Sequence, residues 1–201
     1  MEIVAATNNK AKLDELRTFL ESAGHTVRSM AEAGVNLVPE EDGETFAENA
    51  AIKATTVCRG CGMPTLGDDS GLCVDVLDGA PGVRSARFAG ENADSAANNK
   101  KLMKLLERYP YARRGAHFVC SLALALPGGN VLEAEGSCDG LIGMAASGTG
   151  GFGYDSLFYQ NNVSFADMPQ EEKDRVSHRA QAMKKLLEQL PEFLALNGVA
   201  K

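Results

Sequence analysis

The run "AHFVCSLALAL", residues 116 to 126, constrains the fold of this chain more than any other stretch. It has the pattern of a long strand; "PGGN" after it is a turn, and "VLEAEGSC" beyond the turn is its hairpin partner. Apolar residues crowd together in "CSLALAL" instead of alternating with polar ones, so the strand is expected to be central and covered on at least one face. Helices must supply that cover, and helical patterns precede and follow it.

"EIVAAT" (2 to 7) reads as a first core strand and not as a signal peptide, because its apolar run is brief and an acid stands at position two. "NNK" is a turn, and Leu13, Leu16, Phe19 and Leu20 then recur at helical spacing. "HTVRSM" has the character of a second strand, and "PEEDG" that of an exposed loop. Thr45 and Glu48 stand at capping-box spacing before a stripe of Phe46, Ala50, Ala54 and Val57, with Asn49 and Lys53 on a neighbouring face. "PTLGDDSGLCVDVLDGAPG" reads as a short strand, a glycine-bounded turn and another strand carrying Leu72, Val74 and Val76. A helix is expected over 94–109 with Leu102, Leu105, Leu106 and Tyr109 inward, and a last helix after Ser177 with Met183, Leu186, Leu187, Leu190 and Leu194 buried. No repeat or low-complexity linker divides residues 1–201, so a single mixed α/β domain is expected.

A net charge of -7 disfavours nonspecific attraction to nucleic acid or to an anionic membrane, and no window has the apolar length of a membrane span. An anionic substrate would therefore need clustered lysines or a bound cation. The five cysteines are an odd number in a chain large enough to fold without staples, and "CRGC" has no second pair to complete a zinc site. Reduced thiols and a cytoplasmic location are expected. Three histidines give poor support to a multi-histidine zinc centre.

Three segments can carry chemistry. "TNNKAK" (7 to 12) follows a strand and opens a helix, the place where backbone amides favour an anion. It reads either as an ordinary capped helix with solvated lysines or as a phosphate site using Thr7, Asn8, Asn9, Lys10 and Lys12. "LGDDSG" (66 to 71) reads either as a tight surface turn or as a metal and water site. Adjacent carboxylates repel unless a cation shares the site, and magnesium suits oxygen ligands, with Glu40 and Glu41 available from a distant loop. In "GTGGFGYD" (148 to 155), Phe152 or Tyr154 can stack on a base and Asp155 can accept hydrogen bonds from it. Lys173, His178 and Arg179 can meet a keto oxygen or a phosphate. The plainer reading has these aromatics anchoring a loop and His178 packing near the final helix.

Taken together and in order, "ATNNKAKLDEL", "EEDGETFAENAAIKA", "GDDSGLCVDVLDGAPGVRSARFAG", "GTGGFGYDSLF" and "EEKDRVSHRAQAMKKL" resemble the inosine triphosphate pyrophosphatase family in its bacterial form. The likeness covers nearly the whole chain, and the joint occurrence of the motifs is what makes it specific. The resemblance implies magnesium-dependent hydrolysis of XTP, ITP and dITP to the monophosphate and pyrophosphate. It also implies a homodimer of elongated, two-lobed α/β subunits, each with a central mixed β-sheet flanked by helices and a nucleotide cleft.

By that resemblance, Thr7, Asn8, Asn9, Lys10, Ala11 and Lys12 hold the phosphates, and Lys53 adds positive charge. Asp69 matches the family's proton acceptor, with Asp68 beside it as metal ligand or supporting acid, and Ser70 matches a substrate contact. Glu41 is the preferred remote magnesium ligand, with Glu40 adjacent to it. Phe152, Gly153, Tyr154, Asp155 and Lys173 match nucleotide-binding segments, and His178 and Arg179 match the residues that recognise the keto-bearing base. Two departures stand out: Ser156 occupies a position where bacterial relatives commonly have proline, and "YQNNVSFADM" is a compact variant of the loop before "EEK". The competing readings are a Maf-type pyrophosphatase for modified nucleotides, which lacks the combined "FGYD" and "SHR" features, and a nucleotide sensor without turnover. Binding alone would not need a proton acceptor beside a metal, which disfavours the sensor.

Overall fold

The computed structural model describes residues 1–199. The chain opens with β1 (Glu2–Ala5), α1 (Lys10–Ser22) and β2 (Thr26–Ser29), and continues through α2 (Phe46–Cys61) into β3 (Thr65–Val74). Short 3-10 segments lead to α3 (Ser95–Leu106) and on to β4 (Gly115–Ala125) and β5 (Val131–Ile142). β6 (Phe158–Gln160), β7 (Val163–Ser164), α4 (Gln170–Val176) and α5 (His178–Leu196) complete the order. The strands form one sheet in the order β2-β1-β3-β4-β5-β6-β7. β1 runs parallel to β2 and β3, while β6 runs antiparallel to both β5 and β7, so the sheet is mixed as expected.

Local chemistry accounts for several element boundaries. The Asn9 side chain caps α1 by accepting from the amides of Ala11 and Lys12. The Thr45 and Glu48 capping box begins α2, and Gly62 ends that helix in the left-handed conformation (φ 68°) that glycine adopts without steric cost. The turn after β4 closes with a hydrogen bond from the Leu126 amide to the Asn130 carbonyl at 2.9 Å.

Two compact units can be distinguished, and the division falls inside β3, β4 and β5. The first comprises Met1–Asp69, Cys120–Gly136 and the chain from Arg179 onward. In it, Cys120, Leu122 and Leu124 of β4 pack with Leu16 and Leu20 of α1 and with Met183, Leu186 and Leu190 of α5. The intervening Ala123 and Ala125 pack with Ala50, Ala54 and Cys58 of α2. β4 is therefore covered on both faces here, which explains why "CSLALAL" lacks polar alternation. The second unit, Ser70–Val119 and Ser137–His178, has its own core. Leu72 and Val74 of β3, Leu102 and Leu106 of α3, Phe118, Phe158 and Phe165 are among its buried residues.

Two expectations are corrected. "GDDSG" is not a turn between two short strands, because β3 continues through it and both acids are buried. Leu105 is 43% exposed and does not face the core, because α3 ends at Leu106 and presents Leu102 and Leu106 instead. All five cysteines carry free thiols. Among the described residues no helix is long and apolar enough to cross a membrane.

Candidate active site

Gly67 shows why two acids inside a strand meet a lysine on a helix. A Cβ at Gly67 would lie 2.1 Å from the Ala50 carbonyl oxygen and 2.9 Å from the Ala54 amide nitrogen, so only glycine lets β3 press this closely on the α2 backbone. Lys53, on the α2 turn that Gly67 touches, reaches Asp69 Oδ1 with its ammonium at 2.8 Å. The same Nζ lies 3.0 Å from Glu41 Oε2. Glu41 comes from the loop before α2, whose Gly43 amide donates to Asn49 Oδ1 at 2.9 Å. Asn49, one turn before Lys53 on α2, thus tethers the loop that supplies the second carboxylate.

Asp68 faces other partners. Its carboxylate accepts from Arg179 through Nε (2.6 Å) and Nη2 (3.3 Å) and from Lys12 Nζ (2.6 Å). The Cys120 thiol lies 3.4 Å from Asp68 Oδ2, and Arg179 Nη1 also donates to Glu15. Adjacent residues in one strand point to opposite faces, so the two acids make direct ion pairs with different cations, Asp68 with Arg179 and Lys12 and Asp69 with Lys53.

The electrostatics differ accordingly. Burial opposes ionisation of Asp68, but the charges and hydrogen bonds of Arg179 and Lys12 outweigh it and hold the carboxyl well below the usual aspartate range. At Asp69 burial prevails over the attraction of Lys53, and its carboxyl is pushed upward. Burial disfavours the Lys53 ammonium, yet Asp69 and Glu41 overcome that and raise its pKa. The Cys120 thiol is pushed well up, by burial first and by the Asp68 charge next, so it stays protonated and can donate to Asp68. Ionisation is thus favoured at Asp68, whereas the affinity of Asp69 for a proton is increased.

The β1–α1 connection is less uniform than its sequence implies. Lys12 reaches Asp68, whereas Lys10 pairs with exposed Asp14. Thr7 Oγ1 accepts from the Asn9 amide at 3.1 Å, and Asn8 and Asn9 are exposed. Glu40 is likewise exposed.

In the second unit, Lys173 on α4 and Asp155 pair at 2.8 Å, both nearly fully buried. Asp155 Oδ2 also accepts from the Phe152 amide at 2.9 Å, which folds the loop back on itself. Gly151 makes this possible: at φ +69° its missing Cβ would stand 2.1 Å from the same Oδ2. The Lys173 ammonium lies 5.5 Å from the centroid of the Phe152 ring, within cation–π range. Phe152 and Gly153 are half-buried, and Asn99 of α3 donates to the Gly153 carbonyl at 3.1 Å. Tyr154 is buried, and its hydroxyl donates to the Ser85 carbonyl at 2.8 Å. Tyr154 therefore anchors the loop, and Phe152 is the aromatic with accessible surface. His178 is buried and stacked on Phe118. Ser70, half-buried, opens this unit's part of β3.

Sequence reasoning passed over Glu15, Asn49 as a tether, Cys120, Asn99 and Phe118. Cys120 carries no motif signal, and Glu15, although inside "ATNNKAKLDEL", gives no local hint of a role that depends on proximity to Arg179 across the fold. Asn49 was visible as a polar residue on the Lys53 side of α2.

The fold and this arrangement define an α/β protein with buried acids and lysines on one unit and an aromatic loop closed by a buried Lys–Asp pair on the other. The chain belongs to the Ham1 family, whose model matches residues 3–189. A dITP/XTP pyrophosphatase of Desulforamulus reducens is 50% identical over 190 residues, spanning 94% of each chain. A HAM1 protein from Coxiella burnetii is 38% identical and superposes with a TM-score of 0.85, covering 96% of this chain and 99% of its own. The Staphylococcus aureus Ham1 protein is 34% identical at a TM-score of 0.84, covering 96% and 100%.

Proposed function

We propose that the chain hydrolyses the non-canonical purine nucleoside triphosphates XTP, ITP and dITP to the monophosphate and pyrophosphate, and so cleanses the nucleotide pool. The observation that carries this reading is the convergence of Asp69 and Glu41 on one ammonium, that of Lys53, next to an acid locked by Arg179 and Lys12. A base, a cation and a second carboxylate at one point are what phosphoryl-transfer chemistry requires.

Two carboxylates able to share one cation are suitable donors for magnesium, which is commonly held by one or two carboxylates with water and substrate phosphate completing its shell. Asp69 and Glu41 are the residues assigned to it. Asp68, with both oxygens engaged by cations, is assigned as the supporting acid, and Glu41 is preferred to Glu40 because its carboxylate lies 3.0 Å from the Lys53 ammonium that Asp69 also binds. Bound there, magnesium neutralises phosphate charge and orients water and substrate.

Asp69 takes the proton of the attacking water, whose oxygen forms a bond to the α-phosphorus. The bond from that phosphorus to the bridging oxygen breaks, and pyrophosphate leaves with the electron pair. Lys53 and Lys12 stabilise the charge that develops, and the amides opening α1 at Ala11 and Lys12 favour the phosphates. Asn9 already occupies those two amides with its side chain, so that side chain must turn away for them to serve. In the second unit, Phe152 stacks on the base, while Asp155 and Lys173 fix its loop. His178 is assigned the 6-keto oxygen, because Arg179 is committed to Asp68 and Glu15. An adenine amino group at the same donor leaves both groups badly paired, which is the source of discrimination. Rejection of guanine rests on its 2-amino group. A homodimer is the proposed assembly, checked by light scattering.

The deciding experiment is hydrolysis of ITP, XTP, GTP and ATP with magnesium in water enriched in oxygen-18. The expected result is preference for ITP and XTP, with label in the monophosphate and none in pyrophosphate. Release of inorganic phosphate alone overturns the bond assignment, and tight binding without turnover replaces the enzyme with a sensor. Asp69→Asn is expected to lower kcat by about 10²- to 10⁴-fold with KM little changed.

A further inference from the structure

The structure assigns a role in base selection to Phe118, a buried residue of the second unit's core. We propose that Phe118 is a positioning residue: its ring sets the plane of the His178 imidazole, and the aromatic cluster behind it ties that ring to Lys173. The inference rests on the reading that His178 and Lys173 belong to the base-binding part of the site.

Phe118 lies on β4 on the same face as Ala116, and it is 6% exposed. Its ring and that of His178 stack with centroids 4.7 Å apart and planes 15° from parallel. Aromatic pairs at this separation hold each other in orientation as well as by buried area. Phe118 is itself wedged in place. Phe158 lies 4.7 Å away at 56°, Phe165 lies 6.0 Å away at 13°, and these two meet edge to face at 4.8 Å and 69°.

The far side of the cluster meets the other part of the site. The Lys173 ammonium stands 5.8 Å from the Phe165 centroid, and it pairs with Asp155 at 2.8 Å. One packed aromatic body therefore contacts both His178 and Lys173, all within the second unit. Discrimination between a keto oxygen and an amino group depends on the direction of a hydrogen bond. A histidine whose ring is free to rotate can adapt to either substituent, whereas one held in a stack cannot. Phe118 thus selects the base by restricting His178, without reaching the base itself.

The test compares kcat/KM for ITP and ATP in the wild type, Phe118→Leu, Phe118→Tyr, His178→Ala and the His178→Ala/Phe118→Leu double variant. Loss of a stacked pair is expected to lower the ITP-to-ATP ratio on the order of threefold to tenfold in Phe118→Leu, mainly through a higher KM for ITP. Phe118→Tyr keeps the ring and is expected to restore the ratio. Adding Phe118→Leu to His178→Ala is expected to cause no further loss. A purely structural role lowers the active fraction for both substrates and leaves the ratio and KM unmoved, and that outcome overturns the proposal. If His178→Ala leaves the ratio at its wild-type value, the base-recognition reading itself fails and the proposal falls with it. If His178→Ala changes the ratio and Phe118→Leu does not, only the positioning role is lost. One measurement needs no variant: in the wild-type NMR spectrum the His178 ring protons should lie upfield of those of His25 and His117 through the ring current of Phe118. Unshifted His178 protons overturn the stack even where Phe118→Leu does not fold.

Discussion

Arg179 grips Asp68 at two points, Nε to Oδ2 at 2.6 Å and Nη2 to Oδ1 at 3.3 Å, across 111 residues of sequence. Both side chains are essentially without exposure, and Lys12 adds a second cation to the same carboxylate. Removing the anion while leaving its partners exposes the cost of burying them alone. Asp68→Asn is therefore expected to destabilise the fold by about 3–5 kcal/mol, read from urea unfolding at neutral pH. The pH dependence has a definite sign. The folded carboxyl is held well below its ordinary value of 3.8, so its contribution is fully present above that value and is lost as pH falls through the lower, folded one. The wild type should lose stability faster than Asp68→Asn on acidification below about pH 4. Parallel curves would show that the pair stores no such energy.

A single missing methyl group governs the approach of β3 to α2. At Gly67 an added Cβ meets backbone on the helix at 2.1 Å, and backbone cannot swing aside as a side chain can. Gly67→Ala must push strand and helix apart, which costs about 1–3 kcal/mol as overpacking. It also lengthens the 2.8 Å contact between Lys53 and Asp69. Activity is expected to fall with KM little affected, and thermal stability to fall in parallel. A variant as stable and active as the wild type removes the close approach as the device that places Lys53.

The same residue shows what the sequence can and cannot say. Where partners lie within one turn, the sequence is read locally and correctly: Thr45 with Glu48 at the start of α2, and the turn after Leu126. "GDDSG" misled because its glycines look like turn residues, while Gly67 is there for a helix that approaches from outside the motif. Leu105 fits the helical period of α3 but stands off its buried face, and periodicity alone resolves that face only coarsely. In the site, Lys53, Asp69 and Glu41 were named together and are found together. Oxygen-ligand chemistry already joins Glu40 and Glu41 to the two acids, and the resemblance adds Lys53 and the preference for Glu41. Phe118 and Cys120 read as core residues, and they are core residues; their relation to His178 and Asp68 exists only after folding.

Glu40 and Glu41 are neighbours in sequence with unlike surroundings. Both are exposed, but Glu41 Oε2 lies 3.0 Å from the Lys53 ammonium. If Glu41 shares a magnesium ion with Asp69, Glu41→Gln removes one charged ligand of two. The half-saturating magnesium concentration is then expected to rise about tenfold or more, while Glu40→Gln leaves it within about twofold. The reverse ranking, measured by titrating magnesium in the ITP hydrolysis assay, would transfer the ligand assignment to Glu40.

Gly151 and Gly153 both have left-handed backbone, φ +69° and +62°, but only one has a neighbour in the way. A Cβ at Gly151 lies 2.1 Å from Asp155 Oδ2, the oxygen that also binds Lys173 and the Phe152 amide, whereas nothing lies within 4 Å at Gly153. Alanine at either position incurs the conformational penalty, about 1–3 kcal/mol. At Gly151 the clash adds to it and drives Asp155 from the buried pair. Gly151→Ala is therefore expected to lower thermal stability more than Gly153→Ala and to raise KM for ITP about tenfold, because Phe152 loses the contact that fixes its loop. Lys173, deprived of its carboxylate partner in a buried place, makes the loss larger than the strain of one residue. Equal stability in the two variants would mean that Asp155 can move aside without consequence, and that the Asp155–Lys173 pair is not what holds the loop in its binding form.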